Sequence, residues 1–154
     1  MKNMKVTQFK VLLSKLGACQ EAKEWAKGKD LKAVWATCER GDWMLWLIGH
    51  MADKPNWPTK QQVVLATCAC VELSLRYFEE KYSDDKRPRE AIAKARAWAR
   101  GVATLDQVTE AAARAAWAAR AAWAAAEAAR AARAAVLKEC ADQVRKELNL
   151  VFED

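Results

Sequence analysis

Apolar residues recur at intervals of three and four along most of the chain, and the polar positions between them mark where the helices break. Asp30 precedes Leu31, Val34, Trp35 and Cys38 at this spacing and Gly41 follows as a stop, so the pattern predicts a short helix over 30–40. Asp42 is placed to cap the next helix, which presents Trp43, Trp46, Leu47 and His50 on one face and ends at the turn-forming stretch from Asp53 to Pro58. These two helices are expected to form a hairpin.

Thr59 and Gln62 make a capping box, in which the threonine hydroxyl accepts from an unpaired helix amide and the glutamine reaches back to the threonine amide. Val63, Val64, Cys68, Val71, Leu75 and Phe78 then hold a helical period up to the charged turn 82–86. Pro88 suits the first turn of a following helix through Ile92, Ala95 and Trp98 to a stop at Gly101. Thr104 and Gln107 repeat the capping box and open residues 105–148, which contain a stretch from Ala111 to Ala135 where 18 of 25 residues are alanine.

Alanine has the best helix propensity. Ala111, Ala115, Ala118, Ala122, Ala125, Ala129 and Ala132 alternate spacings of four and three, a seam of methyl groups on which another helix could approach closely. No Gly or Pro interrupts 105–154, so one very long helix and a pair of helices both fit the pattern. The expected fold is all-α: a single domain over 1–154, a helical bundle of six or seven helices with short N-terminal helices and a long Ala-rich C-terminal helix or helix pair.

Composition agrees, with 53% hydrophobic residues, five Gly and three Pro. The apolar positions after Met1 are broken by Gln8, Lys10 and Ser14, so no signal-peptide core is expected, and no apolar run reaches the roughly 20 residues of a membrane span. The five cysteines, an odd number within helical patterns, read as reduced thiols of a cytoplasmic protein. Net charge is +6 but uneven: residues 1–60 carry +5, 61–104 carry +2 and the remainder −1. An electrostatic partner would favour the N-terminal half.

Catalytic chemistry finds no constellation. Cys68 and Cys70 point about 200° apart on a helix, which suits small core residues better than a metal pair. His50 shares a face with Trp43, Trp46 and Leu47 and is expected to be a hydrogen-bonded core histidine. No nucleophile stands beside a base and no glycine-rich phosphate loop occurs, so no enzyme activity, metal or cofactor is expected. Arg40-Gly41-Asp42 is explained by a helix stop followed by a cap.

Arg114, Trp117, Arg120, Trp123, Arg130 and Arg133 on the Ala-rich helix could stack on bases, yet this third of the chain lacks net positive charge. Pairing of these arginines with Glu110, Glu127 and Glu139 is the preferred reading, and nucleic acid is a less favoured partner. Trp35, Trp43, Trp46 and Trp57 fall within 23 residues, with Arg40 and Asp42 among them. Some are core; others are candidates for a protein interface, where Trp and Arg dominate.

The phrase from Trp35 through Arg40-Gly41-Asp42-Trp43 to Leu47, with Cys68-Ala69-Cys70, Arg87-Pro88-Arg89 through Trp98 to Gly101, the alanine stretch and Cys140 to Arg145, resembles the fifth family of predicted immunity proteins of bacterial polymorphic toxin systems. The resemblance covers most of the chain beyond residue 18. It implies a cytoplasmic all-α protein that binds and neutralises a toxin or effector protein without catalysis or cofactor. Trp35, Arg40, Asp42, Trp43, Trp46, Arg87, Arg89 and Trp98 are the matching positions that would form the protein contact.

The basic charge then suggests an acidic toxin surface. Two alternatives stand beside this reading: a phage or mobile-element inhibitor of a host defence complex such as a nucleic-acid-guided nuclease, and a self-associating helical scaffold built on the alanine seam. Oligomeric state is left open.

Overall fold

A computed structural model describes residues 3–113 and 130–152, and the described residues form helices joined by turns, with no strand among them. The helices are α1 (Val6–Lys15), α2 (Gln20–Trp25), α3 (Leu31–Thr37), α4 (Gly41–Met51), α5 (Lys60–Lys81), α6 (Arg87–Ala99), α7 (residues 105–113) and α8 (Arg130–Leu148). Whether α7 and α8 are parts of one helix lies outside the described residues, as does the alanine seam apart from its first member, Ala111, which is buried.

The two capping boxes form as expected. Gln62 N donates to Thr59 Oγ1 at 3.2 Å while Thr59 N donates to Gln62 Oε1 at 2.9 Å, and Thr104 and Gln107 exchange the same pair at 3.3 and 3.1 Å. Pro88 lies in the first turn of α6, and Gly101 ends that helix with φ +75°, a left-handed conformation open to glycine without steric penalty.

The 38–42 corner differs from its sequence pattern. Helix α3 ends at Thr37, Gly41 is the first residue of α4 rather than a stop, and Asp42 sits inside the first turn while Arg40 holds the N-cap position. The reason is packing. A Cβ on Gly41 would stand 2.5 Å from Cys140 Sγ and 2.7 Å from Ala141 N, so glycine is required there for α4 to meet α8. The two short helices pack less on each other than α4 does on α5 and α8.

Helix α5 is the central element, with α4 and α8 on one side and α6 on another. Ala66 and Cys70 join Trp35, Cys38, Met44, Ile48, Cys140, Ala141, Val144 and Leu148 in the main core, whereas Cys68, Leu75 and Phe78 pack with Ile92 of α6. The 200° between Cys68 and Cys70 is thus used to serve two neighbours: Cys68 Sγ faces Ile92 O at 3.9 Å and Cys70 Sγ faces Cys140 O at 3.5 Å. Ile48 and Val144 are fully buried, each contributing about 1.5–3 kcal/mol of transfer free energy.

A second core joins the N-terminal helices to α4 through Phe9, Leu13, Ala18, Ala26, Leu31, Val34, Leu47 and Met51. Asp30 caps α3, accepting from Ala33 N at 2.8 Å and from Asn3 Nδ2 at 2.9 Å, and Asn3 Oδ1 in turn accepts from Lys32 N at 3.1 Å. These bonds tie the segment before α1 to the start of α3. His50, expected in the core, is exposed, because its ring folds back on its own helix, 4.4 Å from the Trp46 ring and 2.8 Å from the Trp46 carbonyl.

Candidate functional site

The three residues between α3 and α4 build the site. Cys38 leaves the helix in an extended conformation (φ −70°, ψ 122°), and Arg40 follows at φ −106°, ψ 88°, exposing the last carbonyls of α3. Arg145 of α8 satisfies them: its Nε donates to Trp35 O at 2.8 Å and its Nη2 to Cys38 O, while Nη1 holds Asp142 at 2.8 Å. A cation at a helix C-terminus also complements the helix dipole. The corner is therefore fixed by a residue more than a hundred positions downstream.

On this fixed corner the Arg40 guanidinium grips Asp42 with both prongs, Nε to Oδ1 at 2.9 Å and Nη2 to Oδ2 at 2.7 Å, and reaches Glu21 of α2 at 3.3 Å. Its central carbon lies 4.2 Å above the Trp43 ring. Burial would push the Asp42 carboxyl up, but the Arg40 fork and the amides of Asp42 and Trp43 outweigh it and hold Asp42 below the ordinary carboxylate value; the same bonds raise Arg40. With its side chain 32% exposed, Arg40 is partly shielded from water, so its pairing and ring contact hold it in one geometry.

Trp43 packs at 6.0 Å against Trp25 of α2 with their rings inclined at 60°, and Lys29 Nζ sits 3.5 Å from the Trp25 ring. Across the corner, Glu39 accepts from Lys138 of α8 at 2.8 Å, which lowers the Glu39 carboxyl. These groups border a surface cleft of about 470 Å³ lined by Glu21, Trp25, Thr37, Glu39, Arg40, Trp43, Arg133, Ala134 and Leu137. Two carboxylates, two guanidinium groups, two indoles and an aliphatic floor suit recognition of another molecule's surface. Among the described residues, Thr37 is the one hydroxyl residue in the lining. Among the described residues, no three His, Cys, Asp or Glu side chains converge as a metal site, and no helix is long and apolar enough to cross a membrane.

The candidate residues separate into two groups. Arg40 and Trp43 line the cleft and Asp42 braces it; Trp46, one turn further along α4, is half-buried against the second core, and Trp35 is only 6% exposed, a core residue of the main cluster. Arg87, Arg89 and Trp98 belong to α6, which packs on a different side of α5. Arg87 forks onto Asp85 at 2.8 and 2.6 Å, and Arg89 onto Glu79 at 2.8 and 2.6 Å, pinning the turn between α5 and α6.

Of the described tryptophans, Trp35 is buried and Trp25, Trp43, Trp46, Trp57 and Trp98 are half-buried, so aromatic surface is offered by ring edges and faces rather than whole side chains. Glu139, expected to serve an arginine of the Ala-rich helix, instead pairs with Arg76 of α5 at 3.1 Å. The stripe at 114–123 lies outside the described residues; Arg133, on the same stripe, lines the cleft.

Glu21 and Trp25, which line the cleft, and Lys29 and Lys138, which contact Trp25 and Glu39 beside it, have no signature in the sequence, since each meets the corner only through packing of α2 and α8 against it. No curated protein and no solved structure matches the chain. The Imm-5 like putative immunity protein family matches residues 56–141, a narrower span than the resemblance implied, beginning after the α3–α4 corner and ending at the α8 residues that pack on Gly41. With more than half of its 154 residues matched, this all-helical chain belongs to the Imm-5 like putative immunity protein family.

Proposed function

We propose that the chain is a non-catalytic immunity protein that binds a toxin or effector protein and blocks it sterically, using the cleft between α2, the α3–α4 corner and α8. The observation that carries this reading is Arg40, locked by Asp42 and laid over Trp43 at the rim of a 470 Å³ cleft. A guanidinium and an indole held in place before binding lose little conformational freedom on contact, and Arg and Trp are the residue types that carry most interface energy.

Family membership supports a protein partner. The side of the molecule formed by α1–α3 adds charge: Lys5, Lys10, Lys15, Lys27 and Lys32 are exposed there. An acidic surface on the partner would be steered toward it. On this reading Arg89 ties α6 to α5 and Arg87 braces the turn before α6, and neither is in contact with the partner.

The test begins with tagged protein and source-cell lysate treated with nuclease. The captured protein is identified, purified and titrated against wild type, Arg40→Ala and Arg87→Ala, each checked for its fold by circular dichroism. A partner that is toxic when expressed alone, is neutralised by the wild type and escapes Arg40→Ala supports the reading. Capture that depends on nucleic acid, or a partner without toxicity, overturns it.

A further inference from the structure

A second cavity, about 430 Å³, lies behind the Trp25–Trp43 pair and is bounded by α1, α2, α3 and α4. Phe9, Leu13, Val34, Trp35, Met44 and Leu47 form its inner wall, all less than a tenth exposed. The space is a pocket partly open to solvent above a buried apolar floor, and its volume falls in the usual range for small-molecule sites, about 300–1,000 Å³.

The lining defines what fits. Four indoles, those of Trp25, Trp35, Trp43 and Trp46, contribute to it, and aromatic rings favour edge-to-face or offset contact with another ring. Among the described residues, Asp42 is the one charged residue in the lining, and both of its carboxylate oxygens already accept from Arg40. A charged ligand would thus lose its hydration without gaining a counter-charge. Gly17 and Cys19, the exposed lining residues, lie on the short link between α1 and α2, so the pocket is open on that side.

We propose that this cavity binds an uncharged aromatic small molecule of one or two fused rings, entering at the α1–α2 link and packing among the four indoles. The pocket shares Trp25 and Trp43 with the cleft but does not rest on the toxin-binding reading, and its test uses indole itself as the probe. Indole is titrated into the full-length protein and followed through the tryptophan side-chain N–H resonances.

The expected result is saturable binding with shifts at Trp25, Trp35, Trp43 and Trp46 and none at Trp98, which stands on α6. Filling the space with Ala22→Leu and Ala26→Leu should weaken binding at least tenfold while the melting temperature holds or rises. Indole-3-acetate should bind at least tenfold more weakly than indole. If the double variant does not fold, Ala22→Leu alone carries the comparison. Shifts that do not saturate, shifts as large at Trp98, or undiminished binding by the folded, filled variant would each overturn the proposal.

Discussion

Gly41 and Cys140 meet where the start of α4 crosses α8, so closely that a single methyl on Gly41 would lie 2.5 Å from the Cys140 sulfur and 2.6 Å from its Cβ. Gly41→Ala should therefore destabilise the protein by about 1–3 kcal/mol, the cost of overpacking a filled core. Adding Cys140→Ala should restore only part of this, because the Ala141 backbone nitrogen at 2.7 Å remains in the way. Urea unfolding of the wild type and the two variants measures both values; full restoration would mean that only the sulfur is in conflict.

Arg145 couples α8 to the end of α3 through the carbonyls of Trp35 and Cys38. Arg145→Met, which keeps the apolar stem but removes the donors, should cost about 1.5–3 kcal/mol, as expected for hydrogen bonds from a charged group. Arg145→Lys should recover little, since one ammonium cannot reproduce the planar fork. A lysine variant as stable as wild type in urea would show that charge alone suffices.

The arginine pairs of the α5–α6 turn predict the opposite behaviour. Arg87 and Arg89 have side chains 48% and 60% exposed, and ion pairs so open to water are screened and contribute little to stability. Arg87→Ala and Arg89→Ala should each lower the melting temperature slightly and leave partner affinity unchanged. A tenfold loss of affinity in either would return α6 to the contact surface.

Acid should weaken the fold through Asp30 and Asp42. Asp30 lies below its ordinary value of 3.8 because it accepts from the Ala33 amide and from Asn3, and Asp42 is lowered by Arg40 against the opposing effect of burial. A carboxyl whose folded pKa lies below its unfolded one stabilises the fold fully above the unfolded value and loses that stabilisation as pH falls through the folded value. Asp30→Asn keeps a capping oxygen but cannot titrate. Its urea midpoint should fall less steeply than that of wild type from pH 4 downward, and parallel curves would contradict the assignment.

Thiol chemistry should divide the five cysteines. Cys19 is exposed, whereas Cys38, Cys68, Cys70 and Cys140 are buried. Burial raises the Cys38 and Cys68 thiols, and its bond to Cys140 together with burial raises Cys70, so these groups stay protonated and unreactive near neutrality. Ellman's reagent should modify one thiol rapidly in the folded protein and the rest only on unfolding, with Cys19→Ser removing the fast phase.

Helices that carry their own punctuation are readable from the chain alone. Thr59 with Gln62, Thr104 with Gln107, Pro88 and Gly101 each act within four residues of the chain, so their effect is independent of what packs nearby. The opposite directions of Cys68 and Cys70 followed equally from helix geometry. Arg40, Asp42 and Trp43 were legible as a group because they are neighbours along one strip of chain.

Tertiary structure decided the rest, because those outcomes depend on residues far apart in sequence. Gly41 read as a helix stop until Cys140 and Ala141 stood against it, turning a break signal into the first residue of α4. Trp35 and Trp43 occupy similar positions in the hydrophobic pattern, yet one is buried against α8 and the other forms a cleft wall with Trp25. Periodicity names the side of a helix that is apolar; only the elements laid against it, here α2 and α8, determine how much of that side remains open to a partner.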